Sequence, residues 1–210
     1  ASGAESVTIA TDDERIRRAC ERFGARVCMT GAHHRSGTER IAEAIAQLGL
    51  APDAIVVNVQ GDEPVIAPSL IRRVGDALAG QSAASVATAC VPISDETEYR
   101  AANVVKVISD KNGFALYFSR AAVPHARDSG TVPAAAARHI GVYAYRAGFV
   151  ARYVALPPSP LEDIEQLEQL RVLWHGEKIL VCPVPPEEAP KLSVDTPDDL
   201  ERARRLLTVA

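Results

Sequence analysis

Apolar residues along this chain follow two periods. Ser6-Val7-Thr8-Ile9-Ala10, Arg26 to Met29, Ile55 to Val59, Ala83 to Val91 and Lys178 to Val184 are short, compact apolar runs, the pattern of strands buried on both faces. Between them the apolar positions recur every three or four residues: Ile16, Ala19, Cys20 and Phe23; Ile41, Ala44, Ile45 and Leu48; Leu70, Ile71, Val74 and Leu78. Those spacings predict helices, with Thr11-Asp12-Asp13-Glu14 and Pro68 as starts and Gly24 and Gly49 as stops. Strands and helices that alternate over short links predict an α/β fold with a mostly parallel central sheet and crossover helices.

The texture changes at Asn103. Val104 to Ile108 and Phe114 to Phe118 flank Asp110-Lys111-Asn112-Gly113, whose Asn-Gly suits a tight hairpin turn, so an antiparallel second lobe is expected there. Residues 121–137 are rich in Ala, Pro and Gly, lack a period and read as a loop. In Arg138 to Arg146, strand alternation puts His139, Gly141, Tyr143 and Tyr145 on one face and Ile140, Val142 and Ala144 on the other. Pro157-Pro158-Ser159-Pro160 then launches what reads as the longest helix, with Leu161, Ile164, Leu167, Leu170 and Trp174 as its core stripe. Thr196-Pro197 starts a terminal helix.

Composition narrows the class without naming a chemistry. With 210 residues, 47% hydrophobic and 24% charged, the chain can build one substantial core with a small appended lobe. A net charge of -4 gives no overall basic footprint, so nucleic acid is not an expected partner. Cys20, Cys28, Cys90 and Cys182 form no C-x-x-C pair and read as reduced core residues of a cytoplasmic protein. No apolar run reaches the roughly 18 residues of a membrane span, so no membrane insertion is expected.

Three loops carry candidate chemistry. Gln60-Gly61-Asp62-Glu63-Pro64 follows a strand, where ligands collect in open α/β sheets, and Asp62 offers hard oxygens to a divalent cation; an ordinary polar turn fits as well. Gly31 to Arg40 places small residues and a cation at a helix start, either an anion or base site or a plain capped helix. Asp195 precedes the terminal helix, as a helix-dipole partner or as a second metal carboxylate. On the strand at 138–146, His139, Tyr143 and the gap at Gly141 offer a polar face for a polyhydroxylated ligand, or half-buried packing.

Taken in order, Ser36-Gly37-Thr38-Glu39-Arg40, Val57-Asn58-Val59-Gln60-Gly61-Asp62-Glu63-Pro64, Ala115-Leu116-Tyr117-Phe118-Ser119-Arg120, Arg138-His139-Ile140-Gly141-Val142-Tyr143-Ala144-Tyr145-Arg146, Leu167-Glu168-Gln169-Leu170-Arg171 and Val194-Asp195-Thr196-Pro197 resemble the 3-deoxy-manno-octulosonate (Kdo) cytidylyltransferases over essentially the whole chain. The resemblance implies a Rossmann-like nucleotidyltransferase, a cytoplasmic homodimer that uses Mg²⁺ and transfers CMP from CTP to Kdo. It implies a nucleotide domain over 1–95 and 177–210 and a sugar-binding and dimerisation lobe over 96–176. By the same resemblance Asp62 and Asp195 share the metal, Ser36, Gly37 and Arg40 lie against the nucleotide, and Gln60, Arg127, His139, Tyr143, Glu168 and Gln169 meet the sugar. It further implies an opening strand and a glycine- and basic-rich triphosphate loop, which would precede Ala1. Two other readings stay open: transfer to a related acid sugar of the sialic-acid type, and a chain that binds sugar without turnover.

Overall fold

The computed structural model describes residues 2–34, 36–128, 130–190 and 192–208; Arg35, in the loop before the second helix, and Ser129, in the 121–137 segment, lie outside the described residues. The chain opens with β1 (Thr8–Thr11), α1 (Glu14–Arg22), β2 (Arg26–Met29) and α2 (Gly37–Leu48). β1 and β2 pair in parallel, Thr8 opposite Arg26, as a helical crossover requires. Gly49 ends α2 at φ 63°, in the left-handed region that glycine enters without a Cβ clash.

Next come β3 (Ile55–Asn58), α3 (Pro68–Gly80), β4 (Val86–Pro92), α4 (Glu96–Arg100), β5 (Lys106–Ser109), β6 (Ala115–Ser119) and β7 (Ala137–Arg146). The chain finishes with α5 (Ala147–Tyr153), α6 (Pro160–Glu165), α7 (Gln169–Trp174), β8 (Ile179–Pro183) and α8 (Pro197–Thr208). The main sheet has the order β6-β5-β7-β4-β8, with β3 also on β7. The class is the α/β one that the alternation predicts, and the sheet is mixed. β4 and β8 run parallel, whereas β7 meets β3, β4 and β5 antiparallel. An apolar run buried on both faces looks the same whichever way its neighbour runs, so the pattern leaves strand direction open.

β7 joins the two spans of the chain. One edge pairs with β4; the other takes β5 at its start, Arg138 opposite Lys106, and β3 at its end, Arg146 opposite Ile55. Side chains alternate between its two faces as the pattern predicts, and each face feeds a core. Ile140, Val142 and Ala144 pack with Leu70, Val74 and Leu78 of α3, while Tyr145 joins Phe118, Phe149 and Leu170 on the other side. Leu70 and Leu78 are fully buried, each worth roughly 1.5–3 kcal/mol of apolar burial.

Two local features depart from the sequence pattern. The helix expected to run from Pro160 through Trp174 is broken into α6 and α7, because Gln166 adopts φ 54° and Leu167 N–H turns back to Glu162 O at 3.2 Å. Ser159 and Glu162 form a reciprocal cap on α6, and Arg171 of α7 clamps the Glu162 carboxylate at 2.6 and 2.7 Å, which fixes the two short helices at an angle. Leu167 and Leu170 reach the core, but Ile164 is 78% and Trp174 53% exposed, so the expected stripe is split. The second feature is Lys106, fully buried in β5, whose ammonium donates to the carbonyls of Ala101, Val104 and Arg120 at 2.6–2.9 Å. Burial lowers its pKa, and the three acceptors keep the charge solvated inside the hairpin lobe.

Candidate functional site

Two cavities flank one aromatic row on β7, in which the rings of His139 and Tyr143 lie 5.3 Å apart and those of Tyr143 and Tyr145 5.7 Å apart. The first cavity, about 210 Å³, opens between the start of α2, the end of β3 and the α6–α7 break. Gly37, Gln60, Tyr143, Glu168 and Gln169 all line it, so five of the residues singled out from the sequence meet here. The break in the helix brings this about. Gln166 turns the chain so that Glu168 and Gln169 line the cavity instead of lying along a solvated helix side, and Glu168 reaches α2, where Thr38 Oγ1 donates to its Oε2 at 3.0 Å. Glu168 stays reachable from the cleft, yet the surrounding protein raises its pKa, opposed by hydrogen bonds from Thr38 and Ser36.

Ser36 caps α2, its hydroxyl accepting from Glu39 N–H at 3.2 Å. Arg40 sits one turn in and faces the other way. Its guanidinium donates to Thr30 Oγ1 at 2.6 Å and lies 3.2 Å from Asp12, so it binds the loops after β1 and β2 together at the rim instead of lining the cavity. Thr38, Asn58, Tyr145 and Tyr153 also line the first cavity. Of these, Tyr145 was visible in the β7 alternation; Tyr153 lies on an apolar helix and gave no signal.

The second cavity, about 260 Å³, is lined by Glu63, Arg138, His139, Gly141, Pro190, Leu192 and Ser193. Val194 N–H donates to Asp62 O at 2.8 Å, which draws the chain leading into Asp195 alongside the loop after β3. Asp62 and Asp195, 133 positions apart in sequence, therefore act on one place: the negative charges of both raise the pKa of Glu63, after burial as the larger cause. Asp62 Oδ1 and Glu63 Oε2 are buried without a hydrogen-bond partner among the described residues. Arg138 lies beside them with its Nε 2.7 Å from Glu98 Oε1, at an angle too poor for a hydrogen bond.

This donor set fits a hard divalent cation. Carboxylate oxygens are the ligands such ions prefer, and an orphaned buried carboxylate oxygen is otherwise costly. Among the described residues, no group of three or more His, Cys, Asp or Glu is placed to hold a metal ion. His139 is held neutral: burial, and then the positive charge of Arg138, pull its pKa down to about 3. Arg127 is not part of either cavity. Its side chain is 93% exposed, on the loop before β7 and beside Asp128.

Comparison with known proteins places the chain in a family. The family model described as Cytidylyltransferase matches residues 1–179. A 3-deoxy-manno-octulosonate cytidylyltransferase of Idiomarina loihiensis is 54% identical over 213 residues, covering 98% of this chain and 83% of the relative. One from Vibrio cholerae is 55% identical over 211 residues, covering 98% and 82%. The solved structure of a CMP:2-keto-3-deoxy-manno-octonic acid synthetase complexed with CTP superposes with a TM-score of 0.89 at 37% identity, over 99% of this chain and 82% of that one. A 4-diphosphocytidyl-2C-methyl-D-erythritol synthase, at 16% identity and a TM-score of 0.57, shares the fold alone. A cleft built at the ends of β3 and β7, a carboxylate pair beside it and identity above one half across nearly the whole chain lead to one assignment: this chain belongs to the 3-deoxy-manno-octulosonate cytidylyltransferase family.

Proposed function

We propose that this chain transfers CMP from CTP to Kdo at the two cavities flanking β7, with the nucleotide toward the start of α2 and the sugar acid along the His139–Tyr143 row. The anomeric 2-hydroxyl of the sugar attacks the α-phosphorus of CTP. A bond forms from that oxygen to phosphorus, the bond to the bridging oxygen of pyrophosphate breaks, and the hydroxyl proton leaves to solvent. Asp62 and Asp195 would hold Mg²⁺, which supplies charge neutralisation at the phosphates when bound. Ser36 and Gly37 line the nucleotide end, and Arg40 stiffens it from the rim through Asp12 and Thr30. Gln60, Tyr143, Glu168 and Gln169 supply donors and acceptors for sugar hydroxyls, and neutral His139 adds one more.

The observation that carries this reading is the orphaned Asp62 oxygen beside the Asp195 segment, at the end of the same sheet as the hydroxyl-lined row. Pyrophosphate release from CTP, measured with Kdo and with sialic acid in turn, tests it. Turnover with Kdo is expected; turnover with sialic acid alone would move the assignment to the related acid-sugar enzymes, and binding of Kdo without turnover would make the chain a sugar-binding protein. We assign residues 1–95 and 177–210 to the nucleotide and 96–176 to sugar and dimer contacts. The uncovered Ile164 and Trp174 support pairing of two copies, which sedimentation would read. Among the described residues no helix is long and apolar enough to cross a membrane, and four free buried cysteines suit the reducing cytoplasm.

A further inference from the structure

His139 stands at a break in the β4–β7 ladder. Register runs from Thr88 opposite Tyr143 straight to Ala89 opposite Ile140, so Gly141 and Val142 bulge out with no residue facing them on β4. The bulge brings three polar atoms to the fully buried Thr88 hydroxyl: Val142 O at 2.8 Å, Ile140 O at 3.1 Å and His139 Nε2 at 2.8 Å. A hydroxyl has one proton to donate and two lone pairs. Were that proton given to Nε2, both carbonyl oxygens would face hydroxyl lone pairs at close range in a dry interior, a costly arrangement. Given to a carbonyl, it leaves a lone pair for an Nε2–H donor, and the hydroxyl is satisfied in both roles.

The second arrangement fixes the imidazole with its proton on Nε2 and a lone pair on Nδ1. Nδ1 has no hydrogen-bond partner among the described residues, and His139 lines the second cavity. Phe118, edge-on at 5.1 Å, and Tyr143 at 5.3 Å hold the ring between them.

We propose that Thr88 is a positioning residue for the reaction: it selects the Nε2–H tautomer of His139, so that Nδ1 accepts a hydrogen bond from a hydroxyl of the acid sugar. This rests on the reading above that His139 meets the sugar. The burial that keeps the ring neutral acts in the same direction, because an imidazolium has no acceptor to offer.

The test uses the full chain labelled with ¹⁵N. Long-range ¹H–¹⁵N spectra report which ring nitrogen of His139 carries the proton, and the Nε2–H pattern is expected in the wild type. Thr88→Val, equal in shape but without the hydroxyl, is expected to lose that pattern and to raise the KM for Kdo about tenfold, the scale of one lost hydrogen bond, with the KM for CTP unchanged. Thr88→Ser is expected to restore both readouts, which a purely packing role would not do. An Nδ1–H tautomer in the wild type, or a Thr88→Val enzyme with wild-type spectrum and KM, would overturn the proposal. If Thr88→Val fails to fold, the wild-type spectrum and the Thr88→Ser enzyme still decide it. Failure of the underlying reading is separable: His139→Gln would then leave the KM for Kdo unmoved while Thr88→Val still shifts the tautomer, and the sugar half of the proposal would fall.

Discussion

Glu162 and Asp62 are both carboxylates taken out of water, and the protein treats them in opposite ways. Glu162 receives two charge-assisted bonds from Arg171 and completes the cap of α6 with Ser159, so its oxygens are all used in holding α6 against α7. Asp62 keeps a buried oxygen with no partner among the described residues, next to an equally unsatisfied Glu63 that feels the charges of both Asp62 and Asp195. A buried polar atom without a partner costs of order 1–3 kcal/mol, more when charged, and scaffold acids do not carry that cost. The difference separates an acid whose oxygens are used to build the molecule from acids whose buried oxygens the fold leaves unpaired.

Substitutions can sharpen or break that contrast. The largest effect is expected from Asp62→Asn, with a fall in pyrophosphate release of about a thousandfold or more if the carboxylate holds the metal, and an unfolding midpoint equal to or above that of the wild type. A stability loss with intact turnover would place Asp62 with Glu162 instead. Asp195→Asn should behave in the same way, and titration of each variant with Mg²⁺ should show weakened dependence on the metal.

Arg171→Met should act on stability first. It strands Glu162 in a nearly closed environment, a change worth about 3–5 kcal/mol in urea unfolding. Because Glu162 and Arg171 lie on either side of the segment that carries Glu168 and Gln169, the folded fraction should also show a raised KM for Kdo. A milder change is expected from His139→Ala, which should raise the KM for Kdo about tenfold and leave that for CTP within about twofold. Equal losses for both ligands would remove His139 from the sugar side.

The last effect concerns acidity. With its folded pKa depressed to about 3 and an unfolded value near 6.5, His139 binds a proton more readily in the unfolded chain between those limits. Its contribution to stability is therefore complete above the unfolded pKa and shrinks as the pH falls through that window. His139→Gln should flatten the acid limb of a pH series of melting temperatures there; an unchanged slope would mean that the ring is not held neutral.

Much of the site could be read from residue types at loop positions. A strand that ends in Gly61-Asp62, a helix start at Ser36-Gly37, and a strand whose alternation puts His139, Tyr143 and Tyr145 on one face are local patterns with local causes, and each is found where expected. Arg127 was readable only as a cation in a Gly- and Pro-rich loop, and such a loop does not fix where its side chains point. Glu63 lies within a recognisable motif that carries no sign of its isolation, since lacking a partner depends on everything around it. Thr88 looked like any polar residue in an apolar strand; its role depends on a bulge in a strand 51 positions away in the chain.

By itself the sequence determined the α/β class, most strands and the helices α1, α2, α3 and α8, the two-faced alternation of β7, and the family; α4, α5 and the division of α6 from α7 came with the structure. Periodicity, caps and turn residues act over a few neighbours, and long motifs survive any rearrangement of the rest. Only the tertiary structure decided that β7 serves both spans of the chain, that the helix after Pro160 breaks at Gln166 so that Glu168 and Gln169 line the cavity, and that Asp62 and Asp195 converge with one oxygen left over. Those outcomes depend on which distant groups meet and which polar atoms go without a partner, and such long-range pairings leave no period along the chain.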